Sequence, residues 1–146
     1  MELGSGAFGH GGVIPRMYGY KNGNTSPPLN ISGVPDGAKS LALIMDDPDA
    51  VGAVGKVWVH WVVWDIDPST GSIPEGSAPG TEGTTDFGSA GYGGPAPPDR
   101  EHTYVLKLYA LDARLGAPAG STRAEIEGAM SGHVLAEARL EGRYSP

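Results

Sequence analysis

The sequence contains no cysteine and comparatively few basic residues. Without thiols the chain forms no disulfide and offers no thiolate nucleophile or zinc-thiolate site. Ten lysine and arginine residues stand against 17 aspartate and glutamate residues, which gives a formal net charge of -7. Binding to duplex nucleic acid or to an anionic bilayer depends on clusters of basic side chains. We therefore expect no nucleic-acid partner and no attachment to a membrane through a basic surface.

Long apolar runs are also missing from this sequence. A membrane-spanning helix needs about 18 or more consecutive apolar residues, and no stretch of the chain has that character. The first residues lack the basic segment and apolar core of a secretory signal. We expect no stable membrane insertion and a cytoplasmic location.

Glycine and proline are abundant, with 24 and 13 of the 146 residues, a content that approaches the range of disordered chains. Three densely apolar segments, residues 40–45, 56–66 and 101–111, argue against disorder because unfolded chains lack such runs. They predict strands of a mainly β protein, a single domain over residues 1–146. Segment 56–66 is apolar on both faces and is predicted to be a central buried strand. Its tryptophans are predicted core residues: Trp58, Trp61 and Trp64.

Two further segments have a distinct character. Residues 67–100 are rich in glycine, proline, serine and threonine, and Phe87 and Tyr92 within them predict an ordered, packed loop. Near the C-terminus, Thr122 and Glu125 have the spacing of a helix capping box. Apolar residues follow at steps of four and predict a helix, or two short ones: Ile126, Met130 and Val134.

Polar residues in or beside the three apolar segments are the candidates for function. Asp47 and Asp49 follow the first strand, His60 interrupts the second, and His102 and Tyr104 share one face of the third. If these strands are neighbours, the five side chains can meet at one end of a sheet. Each also has a plain structural interpretation: a satisfied core histidine, an Asx turn, or the polar end of a half-buried strand.

Two kinds of chemistry fit such a cluster. Imidazoles and a phenol are hydrogen-bond donors suited to an anion, and a neighbouring carboxylate would keep an imidazole charged. The amides of Gly93 and Gly94 could add a small backbone nest. The alternative is a hydrolase, in which Asp47, His60 and His102 ligate a metal or act as an acid-base pair.

Several motifs occur in the order seen in one known family. They are Ser-Pro-Pro-Leu at 26–29, Asp-Asp-Pro-Asp-Ala at 46–50, Trp-Val-His-Trp-Val-Val-Trp at 58–64, Gly-Tyr-Gly-Gly-Pro at 91–95 and His-Thr-Tyr at 102–104. With these motifs the sequence resembles the phosphatidylethanolamine-binding proteins, also called Raf kinase inhibitor proteins. It is most similar to their short bacterial and archaeal branch, over about residues 11 to 144.

The resemblance implies a mainly β fold of two antiparallel sheets with Greek-key topology, a few short peripheral helices, and a small pocket for phosphate or other anions. It implies a non-catalytic binding protein without a cofactor, whose ligands are small anions or phosphorylated head groups and side chains. A protein kinase or protease would be a partner to inhibit, and a homodimer is expected. Carried over by motif, the pocket residues are Asp47, Asp49, His60, Gly94, Pro95, His102 and Tyr104.

The sequence departs from the family pattern at two positions. Val51 stands where relatives usually have proline after Asp-Pro-Asp-Ala. Since a cis bond before a residue other than proline costs about 2.5–4 kcal/mol, we predict a trans bond before Val51. Ala96 stands where many prokaryotic relatives have a cysteine, so no thiol can act there.

Overall fold

A computed structural model describes all residues, 1–146, as two β-sheets with short helices at their edges. The small sheet has the strand order β1-β3-β6, and the large sheet has the order β2-β9-β8-β4-β5-β7. All strand pairs are antiparallel except β2 with β9, which is parallel. The strands are β1 (Glu2–Gly4), β2 (Gly12–Val13), β3 (Leu29–Ser32), β4 (Ser40–Asp47), β5 (Trp58–Ile66), β6 (Ser72–Ile73), β7 (Thr81–Glu82), β8 (His102–Leu111) and β9 (Val134–Tyr144).

The three predicted strands are confirmed, and they form the centre of the large sheet. Every residue of β4 is buried, and β4 lies between β5 and β8. A strand of this kind has no solvent-facing side, which is why its sequence lacks the polar alternation of a half-exposed strand. Because these strands are neighbours, the polar end of β4 and the polar starts of β5 and β8 lie together at one end of the sheet.

Apolar side chains cover both faces of the large sheet. The main core lies between the two sheets, and a smaller one lies between the large sheet and the helix α2 (Arg123–Met130). Alternate residues of β4 enter different cores, as the pleat requires. The smaller core consists of Ala42, Ile44, Val62, Trp64, Leu111, Ile126 and Met130.

The C-terminal region is only partly as predicted. The capping box at the start of α2 is present: the Thr122 hydroxyl accepts from the amide of Glu125, whose carboxylate accepts from the amide of Thr122. The prediction that the helix includes Val134 is wrong. The helix ends at Met130, the chain turns through Gly132 at φ 82°, and Val134 begins β9.

Residues 67–100 are ordered and packed, as the sequence predicts. Phe87 stacks on Tyr20 with 4.1 Å between ring centroids. Glu82, in β7, accepts a hydrogen bond of 2.7 Å from Trp61 Nε1. The segment therefore closes over one end of the large sheet.

The segment that follows β4 is compact. A 3-10 turn at Pro48–Ala50 leads directly into the short helix α1 (Val51–Val54). The bond before Val51 is trans, as predicted. No helix of the protein has both the length and the apolar character needed to cross a membrane.

Candidate functional site

Two adjacent aspartates end β4, and they lie on opposite faces of the sheet because side chains alternate along a strand. Asp46 lies on the face that packs against α2, where its Oδ2 is 2.7 Å from Arg123 Nη1. Asp47 lies on the other face, where its Oδ2 is 2.6 Å from His102 Nδ1. Only Asp47 therefore joins the cluster that the sequence predicts.

Asp49 fixes the turn after β4. The amide of Asp49 donates to Asp47 Oδ1 at 3.0 Å, and the carboxylate of Asp49 accepts from the amide of Thr103 at 2.8 Å. Arg100 Nη2 lies 3.9 Å from the same carboxylate. These contacts tie the turn to the start of β8, and thus Asp49 positions Asp47 and His102 from outside the cavity described below.

His102 is fully buried between two carboxylates. Its Nδ1 donates to Asp47, and its Nε2 donates to Asp99 Oδ1 at 2.7 Å. Burial alone lowers the pKa of His102, but the hydrogen bonds and negative charges of Asp47 and Asp99 outweigh it, so the pKa is raised. Because a carboxylate only accepts hydrogen bonds, two carboxylate partners require both ring nitrogens to be protonated. The ring is thus an imidazolium with no nitrogen left for a ligand.

A local irregularity of β5 directs His60 into the site. Met45 pairs with Trp61 and Asp46 pairs with Val59, so His60 is an extra residue in β5 without a partner in β4, as in a β-bulge. Val59 packs against the smaller core, whereas Trp61 belongs to the main core. The extra residue breaks the alternation and turns the His60 ring toward Tyr104, with 5.1 Å between ring centroids.

His60 has a different protonation state from His102. Its Nδ1 lies 2.6 Å from the carbonyl of Gly93 and donates to it. Burial lowers the pKa of His60, and the Gly93 carbonyl and the Asp47 charge offset this only in part. The ring is therefore neutral at pH 7, with a proton on Nδ1 and a free electron pair on Nε2. Nε2 makes no hydrogen bond within the protein.

Tyr104 carries the one buried side-chain polar atom that lacks a hydrogen-bond partner, its hydroxyl oxygen Oη. Burial raises the pKa of Tyr104, and the nearby Asp47 charge raises it further, so the phenol keeps its proton. Leaving a buried hydroxyl unpaired costs about 1–3 kcal/mol. Such a group in a folded protein calls for an explanation, and a bound ligand or water molecule is the usual one.

A cavity of about 210 Å³ opens beside this cluster. Asp47 and His60 supply its polar surface, while Tyr104 lies behind the wall, close to Asp47 and Ala96. Val54, at the rim, is 52 % exposed. The remaining wall is mostly apolar, with the indole Nε1 of Trp58 as its one polar side-chain atom, and is formed by Ala50, Ala53, Val54, Trp58, Phe87, Ala96 and Pro98.

Of the seven predicted residues only Asp47 and His60 line this cavity, and Gly94 and Pro95 are engaged elsewhere. The Gly94 amide donates to Asn24 Oδ1 at 2.7 Å, and the Pro95 carbonyl accepts from the amide of Tyr20 at 2.9 Å. The Gly93 amide donates to the carbonyl of His60 at 2.9 Å. The predicted backbone nest is wrong, because both glycine amides already have partners. Pro95 lies instead on a neighbouring cavity of about 340 Å³, together with Arg16 and Lys21.

The structure adds residues that the sequence did not reveal. Asp99, three residues before His102, gives the imidazolium its second acceptor, but no periodic pattern marks an aspartate in a proline-rich loop. Phe87 and Val54 reach the cavity from the loop after β7 and from α1. No group of three or more histidine, aspartate or glutamate side chains is arranged to hold a metal ion.

Comparison with known proteins connects this geometry to one family. The model of the family described as "Phosphatidylethanolamine-binding protein" matches residues 4–145. A UPF0098 protein of Methanothermobacter thermautotrophicus is 45% identical over 154 aligned positions, which cover 99% of this chain and 98% of that protein. A UPF0098 protein of Chlamydia muridarum is 41% identical, with 99% and 98% covered.

Two crystal structures have the same fold. A phosphatidylethanolamine-binding protein homologue of Chlamydia trachomatis, CT736, superposes with a TM-score of 0.94 at 38% identity, covering 99% of this chain and 97% of that one. E. coli YbcL, described as a new member of the mammalian family, superposes with a TM-score of 0.90 at 30% identity, with 99% and 98% covered. The match extends over nearly the whole chain in sequence and in structure. This protein therefore belongs to the phosphatidylethanolamine-binding protein family.

Proposed function

We propose that the protein is a non-catalytic binding protein whose cavity takes one phosphate or a small phosphorylated group. The observation that carries the proposal is the buried, unpartnered hydroxyl of Tyr104 beside the cavity wall. An oxygen atom of a ligand that reaches past the wall beside Asp47 and Ala96 would give this donor its missing acceptor. The volume of about 210 Å³ is below the range of about 300–1,000 Å³ that is typical for drug-sized ligands, which favours a small head group.

The composition of the wall supports binding rather than catalysis. No serine, threonine or lysine side chain lines the cavity, so no hydroxyl or amine nucleophile stands beside His60. His102, the second histidine of the proposed hydrolase, has both nitrogens bonded to carboxylates. No observation favours the hydrolase, and we do not propose it. Inhibition of a protein kinase or protease, and formation of a homodimer, stay predictions from the sequence.

Tyr104→Phe tests the proposal by removing the unpaired hydroxyl alone. We expect the dissociation constant for inorganic phosphate to rise about ten-fold or more, since a hydrogen bond to a charged group contributes about 1.5–3 kcal/mol. We also expect the free energy of unfolding to rise by about 1 kcal/mol, because a buried unsatisfied group is lost. Isothermal titration calorimetry and urea denaturation measure the two effects.

Tyr109→Phe is the matched control, because Tyr109 lies on the same strand, β8, but packs against the smaller core on the other face of the sheet. We expect phosphate affinity to stay unchanged in this variant. Equal phosphate affinity in Tyr104→Phe and the unmodified protein would contradict the proposal, and so would failure of the unmodified protein to bind phosphate.

A further inference from the structure

We infer that the cavity selects oxyacids that still carry a proton, and that it therefore binds phosphate in preference to sulfate. This inference rests on the proposed function and adds a rule of specificity to it. It follows from the hydrogen-bonding character of the two titratable groups on the cavity wall, Asp47 and His60.

Both of these groups are acceptors. The carboxylate of Asp47 accepts from the Asp49 amide and from His102, and it has no proton to give. His60 spends its proton on the carbonyl of Gly93, which leaves only the lone pair of Nε2 for a ligand. A fully deprotonated oxyanion would thus place its own lone pairs against those of Asp47 and His60.

The charges around His60 do not change this conclusion. From β4 come Asp47, paired with His102, and Asp46, paired with Arg123 on the other face of the sheet. From β8 come the imidazolium of His102 and the neutral phenol of Tyr104. No lysine or arginine lines the cavity, so no unpaired cation offsets the charge of an incoming anion.

The loop that carries Phe87 adds one more charged group. The carboxylate of Asp86 accepts from the amide of Val59 and is paired with Lys56 at 2.7 Å. Lys56, His102 and Arg123 are therefore each already bound to an aspartate.

A proton on the ligand oxygen that faces His60 Nε2 removes this repulsion between lone pairs, because the oxygen can then donate a hydrogen bond. Phosphate keeps at least one proton at neutral pH and can donate it to Nε2, whereas sulfate keeps none. Sulfate binding would require His60 to take up a proton from solvent, and burial, which lowers the pKa of His60, opposes this. Sites built around a hydrogen bond strongly reject analogues that lack the matching group.

The experiment compares inorganic phosphate with sodium sulfate by isothermal titration calorimetry at pH 7.5, at constant ionic strength. We expect phosphate to bind about ten-fold or more tightly than sulfate. For sulfate, titration in buffers with different ionisation enthalpies is expected to show uptake of about one proton per binding event, and its affinity is expected to rise as the pH falls.

Two variants test the assignment of this preference to His60. In His60→Gln, the side-chain amide can turn its NH₂ group toward the cavity as a donor, so we expect the ratio of the two affinities to approach one. In Tyr104→Phe, we expect both anions to bind more weakly with the ratio unchanged. If His60→Gln does not fold, the proton uptake on sulfate binding by the unmodified protein is sufficient to test the inference.

The outcomes separate the inference from the proposed function. Preference for phosphate together with proton uptake on sulfate binding supports both. Equal affinities without proton uptake would overturn the inference and leave the proposed function standing. Absence of binding by either anion would overturn both.

Discussion

Replacing Asp47 with asparagine is expected to lower the free energy of unfolding by about 3–5 kcal/mol, the range for removing one partner of a buried ion pair. His102 is fully buried, and the side chain of Asp47 is 4% exposed. The substitution keeps the shape of the side chain but removes its charge. The imidazolium of His102 then has no negative charge beside its Nδ1. It also forces one amide oxygen to serve two donors, the Asp49 amide and His102 Nδ1.

Asp99→Asn is the matched control, because it changes the other carboxylate that binds the same histidine. The side chain of Asp99 is 44% exposed, and ion pairs at the surface contribute about 0–1 kcal/mol. We therefore expect only a small change in the free energy of unfolding. Urea denaturation at pH 6 measures the free energy of unfolding of Asp47→Asn and of Asp99→Asn. Similar losses in the two variants would show that the burial of Asp47 does not decide the strength of the pair.

The same pair gives the stability of the protein a pH dependence. The pKa of His102 is raised in the folded state, so this state binds the proton more tightly than the unfolded chain does. The stabilisation is fully present below the unfolded pKa of about 6.5 and is lost as the pH rises through the folded value. Unfolding measured from pH 6 to pH 9 is expected to show this decline, and to show a smaller one in Asp47→Asn.

The sequence sufficed to predict the centre of the fold. Segments 40–45, 56–66 and 101–111 are apolar on both faces or nearly so. Strands of this composition are stable only where both faces are covered by other elements. The strand β9 was missed because its first residues are exposed, and because Val134 continues the four-residue spacing of Ile126 and Met130. The change of structure occurs at Gly132, whose positive φ is a property of the folded backbone.

The candidate site was predictable in its members but not in its chemistry. His60 and His102 look alike in the sequence, since each lies in an apolar strand. Their surroundings make them different: burial keeps His60 neutral while a carbonyl 33 residues away holds its proton on Nδ1, and a carboxylate 55 residues away keeps His102 charged. Strict alternation would place His60 with Val62, and only the extra residue in β5 brings it to the cavity. Local pattern carries no information on such distant pairings.

Gly94→Ala is expected to lower the free energy of unfolding by about 2–3 kcal/mol, a typical cost of overpacking at a site that cannot relax. A Cβ atom at this position would collide with the carbonyl oxygen of Tyr18 and lie 2.9 Å from Gly19 C and Tyr20 N. All three are backbone atoms, so no side-chain rotation relieves the clash. The role of this glycine is the close approach of two chain segments, and the adjoining Gly93 carbonyl, which orients His60, would move with it.

Gly128→Ala is expected to raise the free energy of unfolding, in contrast to Gly94→Ala. A Cβ atom at Gly128, inside α2, would have no atom within 4 Å, and alanine in a helix is more favourable than glycine by about 0.5–1 kcal/mol. Thermal unfolding should therefore rank Gly128→Ala above the unmodified protein and Gly94→Ala well below it. Phosphate affinity, measured below the unfolding temperature of each variant, is expected to fall only in Gly94→Ala. If Gly94→Ala unfolds like the unmodified protein, the two segments are not held in fixed contact, and the orientation of His60 depends on something other than this packing.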